Sequence, residues 1–147
     1  ENFSKIKPLI DKEKRMGKKV FFVSAGDIFS GNPIVDNYSE KGFPIIDLLN
    51  RTGLDVSVIG NHEFDYGQSV LSDRIAQANF PFICANFSGG NGELSNVKGV
   101  EIIEKDGFSI ATFINIINCS LIDVADTFTF FFAKIYALTF RVIWLIT

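Results

Sequence analysis

At 147 residues, 47% of them hydrophobic, the chain is long enough for one ordinary core and leaves no room for a second full domain. The formal net charge of −3, with lysines gathered mainly between Lys5 and Lys19, gives no basic face, so duplex nucleic acid is excluded as an expected partner. Cys84 and Cys119 have neither the paired spacing of a zinc site nor the density of a disulfide scaffold, and they leave the redox compartment open. No basic-then-apolar leader follows Glu1, so any signal peptide is expected to have been removed or to lie outside the sequence.

Phe3, Ile6, Leu9, Ile10 and Met16 fall near helical spacing among charges, and Gly17 follows where a helix would stop. This predicts an amphipathic helix over Phe3–Met16. Lys19–Ser24 carries the apolar run Val20-Phe21-Phe22-Val23 and reads as a buried parallel strand, with Asp27 just past its tip. A loop at Ser30-Gly31-Asn32-Pro33 precedes helical stretches at about Ile34–Tyr38 and at Pro44–Thr52, the second closed by Gly53. Asp55–Ile59 repeats the strand pattern and runs into Gly60-Asn61-His62-Glu63-Phe64-Asp65-Tyr66-Gly67. A helix over Ser69–Asn79 and a strand over Phe80–Ala85 complete a βαβαβ series, an α/β class.

Ser88–Gly92 is a polar, glycine-rich turn without the ending of a phosphate-binding loop. Asn86 is expected to tie down a strand end, and Cys84 to sit in the core. Val100–Glu104 and Phe108–Phe113 form a predicted hairpin around Lys105-Asp106-Gly107. Beyond Phe113 charges become sparse. Thr127–Thr147 is about long enough for a membrane helix, which Lys134 and Arg141 oppose. The other readings are a helix or strands packed on the core, or an end not native to the fold. Residues 1–113 are therefore taken as one domain and 114–147 as an apolar tail of uncertain status.

In open parallel sheets ligands bind beyond the carboxyl ends of the strands, which is where Asp27 and Asn61-His62 fall. A two-metal phosphoesterase needs a carboxylate shared between its ions, further oxygen or nitrogen ligands, and a donor for the leaving oxygen. Asp27 suits the bridge, and Asn61 offers a neutral oxygen that does not repel a phosphate. His62, the only histidine, suits proton donation. Asp65 either holds the His62 ring or caps a helix beginning near Gln68; Glu63 reads as a supporting acid rather than a ligand.

The Gly26-Asp27 pair followed by the Gly60–Gly67 run resembles the calcineurin-like metallophosphoesterase superfamily, most of all its 5′-nucleotidase branch. Asp27-Ile28-Phe29-Ser30-Gly31, Asp47-Leu48-Leu49-Asn50 before Gly53-Leu54-Asp55, and Pro81-Phe82-Ile83-Cys84-Ala85-Asn86 add to it, so that the resemblance covers about residues 3 to 113. It implies part of a four-layer αββα sandwich, with Asp27 and Asn61 as metal ligands and His62 and Asp65 as the catalytic pair. It implies two divalent ions (zinc, manganese or magnesium) in the complete parent enzyme. The substrates would be phosphate esters of nucleotides, and often nucleotide sugars or cyclic nucleotides, and the location periplasmic, cell-surface or secreted. Membrane association of the tail is not expected.

The family's Asp-x-His pair would precede the first helix, and its later histidine and Gly-His-x-His segment would follow His62; none of these is in this sequence. The expectation is a piece of a catalytic domain that binds metal weakly by itself. The rival reading is a non-catalytic binding or scaffold module that keeps the fold without a full metal site.

Overall fold

The structure, a computed structural model, describes residues 3–85, 87, 94–95, 97–105, 107–113 and 140–145. After a short 3-10 turn at Phe3–Lys5, helix α1 spans Ile6–Arg15, strand β1 Lys19–Ser24, helix α2 Pro33–Asp36 and helix α3 Phe43–Thr52. Strand β2 spans Val56–Val58, helix α4 Gln68–Gln77, strand β3 Phe82–Ile83, strands β4 and β5 Val100–Lys105 and Phe108–Phe113, and strand β6 Phe140–Leu145. The βαβαβ series is present, and so is the hairpin. The expected turn at 88–92, Asn86, Cys119 and residues 114–139 lie outside the described residues.

The order β3-β2-β1-β6 makes a parallel sheet in which β1 has neighbours on both edges. That position explains why Val20 to Ser24 are buried without alternation, for a central strand covered on both faces shows solvent no side. Successive residues still point to opposite faces. Val20 and Phe22 join Ile46, Leu49, Leu71 and Phe29 in the larger core beneath the helices, while Val23 packs with Val56, Val58 and Ile83 on the other face, where Ile103 of β4 covers them. The described layers are therefore helices, parallel sheet and antiparallel hairpin, as part of an αββα sandwich requires. Asp55 fastens the hairpin. Its backbone N–H donates to the Phe22 carbonyl of β1 at 2.8 Å, its carboxylate accepts the Phe22 N–H at 2.8 Å, and Lys105 Nζ lies 2.6 Å from the same carboxylate.

Local chemistry sets the element ends. Asn32 accepts the Ile34 N–H at 3.0 Å, with Pro33 in the first helical position, so α2 starts before Ile34 and stops at Asp36. In α3 the buried residues Ile45, Ile46, Leu49 and Thr52 form one stripe, and Gly53 ends the helix at φ 81°, donating to the Leu49 carbonyl. Pro81 has no N–H to give a ladder, and β3 narrows to two residues, although Phe80 and Cys84 on either side are buried as expected. Phe140–Leu145, within the stretch weighed as a membrane helix, is a strand along the outer edge of β1. Among the described residues no helix is long and apolar enough to cross a membrane.

Candidate active site

Because β1 and β2 are parallel, the loops leaving Ser24 and Val58 emerge on the same edge of the sheet and meet there. They meet at glycines. A Cβ on Gly26 would lie 2.9 Å from the Gly60 nitrogen and 3.0 Å from the Val58 oxygen, and Gly26 sits at φ 92°. A Cβ on Gly60 would lie 2.2 Å from Asp27 Oδ1. Both positions exclude a side chain, since the two turns occupy the space it would fill.

Asp27 itself has φ 56°, the one non-glycine residue with positive φ among those described, in a left-handed conformation that an L side chain adopts at some cost. Its Oδ1 accepts the His62 backbone N–H at 3.0 Å, which joins the first turn to the second. The stronger tie is Glu63. Its side chain is fully buried, and it accepts the N–H of Ile28 at 2.7 Å on one oxygen and those of Asp27 at 2.9 Å and Gly60 at 2.6 Å on the other. Burial pushes the Glu63 carboxyl above its ordinary range, against the pull of those three donors. Glu63 is thus a supporting acid, as expected, but its partners are backbone groups of both turns.

His62–Phe64 forms a 3-10 turn that brings His62 Nδ1 to 2.8 Å from Asp65 Oδ2. The helix-cap alternative for Asp65 is not what the chain adopts, since Gly67 precedes α4. A carboxylate only accepts, so the Asp65 contact places a proton on Nδ1 and leaves Nε2 as the ring's other nitrogen. The hydrogen bond to Asp65 is the main reason that the His62 pKa is raised; the charges of Asp27, Asp65 and Glu63 act in the same sense, against slight burial. Asp65 is lowered, first by a hydrogen bond from Ser30 Oγ at 2.5 Å and then by His62. The next residue, Tyr66, donates to Asp36 Oδ1 at 2.5 Å, and its phenol is pushed up to about 12 by burial and that carboxylate. This contact anchors the far end of the motif to α2.

Asn61 begins the 3-10 turn without capping it by its side chain. Asn61 precedes the His62 N–H that Asp27 accepts, so a carboxylate and an amide residue, both candidate oxygen donors for a hard divalent ion, stand on adjoining turns. Among the described residues no group of three or more His, Cys, Asp or Glu side chains that could hold a metal ion is found. The structure brings Asp27 to the His62 backbone and the His62 ring to Asp65, with Asn61 next to His62 in the chain. Sequence reasoning missed Ser30 as a partner of Asp65 and Glu63 as a fastener of two turns. The Ser30 signal was only its place three residues after Asp27 in the Asp27–Gly31 stretch.

The pattern of the family described as calcineurin-like phosphoesterase matches residues 1–139. A 2′,3′-cyclic-nucleotide 2′-phosphodiesterase/3′-nucleotidase of Haemophilus influenzae is 38% identical over 57% of this chain and 14% of its own length. A 5′-nucleotidase of Vibrio vulnificus is 33% identical over 65% of this chain and 17% of its own. Among solved structures, the calcineurin-like phosphoesterase YfkN of Bacillus subtilis superposes with a TM-score of 0.54 at 30% identity, over 72% of this chain and 36% of that one. A 5′-nucleotidase precursor from Thermus thermophilus, at 24% identity, shares the fold with a TM-score of 0.67 over 76% and 22%. The chain therefore spans less than one fifth of the two curated relatives described. Calcineurin-like phosphoesterases are dinuclear metal enzymes. With the pattern matched over nearly the whole sequence, and the α/β fold shared, the chain belongs to the calcineurin-like phosphoesterase family.

Proposed function

We propose that this chain carries the bridging-ligand corner and the catalytic pair of a phosphohydrolase acting on phosphate esters of nucleotides, 5′- and 3′-nucleotides and 2′,3′-cyclic nucleotides among them. The observation that carries the reading is the His62 Nδ1 to Asp65 Oδ2 contact of 2.8 Å on the same turn whose N–H binds Asp27. Asp27 and Asn61 would hold divalent ions, magnesium or manganese by their oxygen donors, or zinc where nitrogen donors join them. Such ions supply Lewis-acid polarisation of the phosphate and neutralise its charge.

This chain's own residues do the rest. Asp65 holds the proton of His62 on Nδ1, so that a protonated ring presents Nε2–H to the leaving oxygen. Half of the His62 side chain is exposed, at 52%, which puts the ring within reach of a substrate outside the core. Glu63 keeps the Asp27 and Gly60 turns in register. We further propose that residues 1–113 form the catalytic unit and the 114–147 tail closes its sheet through β6, with a periplasmic, cell-surface or secreted location.

The test is phosphate release from 5′-AMP, 3′-AMP and 2′,3′-cyclic AMP by the chain together with its flanking coding sequence, with each divalent ion. His62→Ala is expected to lower turnover by about 10²–10⁴-fold. Near-normal turnover in that variant removes the assignment of His62. A folded protein with no release under any ion favours the non-catalytic binding module instead.

A further inference from the structure

We infer that Ser30 is a positioning residue for the His62–Asp65 pair, its hydroxyl fixing the carboxylate oxygen that holds the imidazole proton. The inference rests on the reading of His62 and Asp65 given above. Asp65 Oδ2 is the common acceptor: Ser30 Oγ lies 2.5 Å from it and His62 Nδ1 lies 2.8 Å from it. Ser30 Oγ is 3.4 Å from Nδ1, too long to compete for the ring. With protons on both Ser30 Oγ and Nδ1 directed at one oxygen, every donor has an acceptor and no two donors face each other.

The arrangement differs from a serine-histidine-aspartate relay. There the hydroxyl and the carboxylate sit on opposite ring nitrogens, so that the imidazole passes a proton between them. Here both sit on the Nδ1 side. Ser30 has no route to a proton acceptor through His62, and the geometry gives it orientation work instead of attack.

Asp65 has need of a second holder. Its side chain is 41% exposed, and a carboxylate on an open turn with a single partner exchanges its oxygens or turns to water. Ser30 restrains it from the other turn. The neighbouring Phe29 is fully buried and packs edge-on against Phe82 at 6.2 Å, which anchors the backbone that presents the hydroxyl. Through Ser30 the pair is tied to the loop that bears Asp27, so the proton donor and the metal-binding carboxylate share one frame.

His62 is the only histidine, so the nitrogen resonances of its ring report this contact without ambiguity in the ¹⁵N-labelled full chain. With the ring neutral, the native chain is expected to show the proton chiefly on Nδ1. Ser30→Ala is expected to reduce the ratio of Nδ1–H to Nε2–H by about fivefold, the worth of one ordinary hydrogen bond. Ser30→Thr, which keeps the hydroxyl, is expected to restore it. Unchanged ring shifts in Ser30→Ala, with the native ratio intact, overturn the role of Ser30 and leave the His62–Asp65 pair standing. A native ring protonated on Nε2 removes the pair itself, and the inference with it.

Discussion

Among the charged side chains buried in the described residues, Glu63 and Arg74 are treated in opposite ways. Glu63 is fully enclosed, and three backbone N–H groups converge on its two oxygens. Arg74, on the inner face of α4 and 8% exposed, has Nε and Nη1 buried with no hydrogen-bond partner among the described residues, and its guanidinium rests over the Phe43 ring at 5.5 Å. Burying a charge costs free energy that only partners return, so the carboxylate is anchored and the guanidinium is merely sheltered. The difference follows position. Glu63 sits where two turns must be held together beside the candidate metal ligands, whereas Arg74 packs its guanidinium against an aromatic ring.

The comparison breaks most sharply at Glu63. Glu63→Ala strands three N–H groups, and unfolding in urea is expected to show a loss of about 3 kcal/mol or more. A loss below that of an ordinary surface substitution would mean that water replaces the carboxylate without cost. Gly60→Ala keeps Glu63 but drives a methyl into the Asp27 carboxylate, and a loss of about 1–3 kcal/mol is expected, with the largest amide shift changes at Asp27 and Asn61. Unmoved amides at those two residues would show that the turns separate freely. Arg74→Leu is expected to go the other way. Removing the unpartnered nitrogens at the expense of one ring contact raises stability by about 1 kcal/mol, read from the urea midpoint. A lowered midpoint would show that the contact with Phe43 outweighs the desolvation.

Much of the frame was legible because apolar runs and glycines carry their own signals. Lys19–Ser24 was bounded to the residue, the hairpin lay where expected, and Gly53 closed α3 as its type predicts. His62 and Asp65 were legible as a pair because a three-residue step in a turn brings two side chains together. What stayed hidden was contact across the fold. Glu63 binds backbone N–H groups some 35 positions earlier, and a backbone donor has no residue type by which to be read. Ser30 reaches Asp65 across the same gap, and a serine beside a glycine looks like any loop residue. Asp55 seemed to be the mere beginning of a strand, yet it joins β1 to the hairpin.

The parallel pairing of β6 with β1 bears on the order in which the molecule assembles. Lys19 is matched with Phe140, so the outer edge of β1 is closed by a strand that lies far later in the sequence. Until it pairs, β1, β2 and β3 can form their own ladder, but one row of N–H and C=O groups faces outward on a strand that is apolar from Val20 to Val23. Pairings so distant along the chain are slow to form, and an open edge attracts other strands in the meantime. The same strand that positions Asp27 therefore presents an open edge to misassociation until β6 arrives.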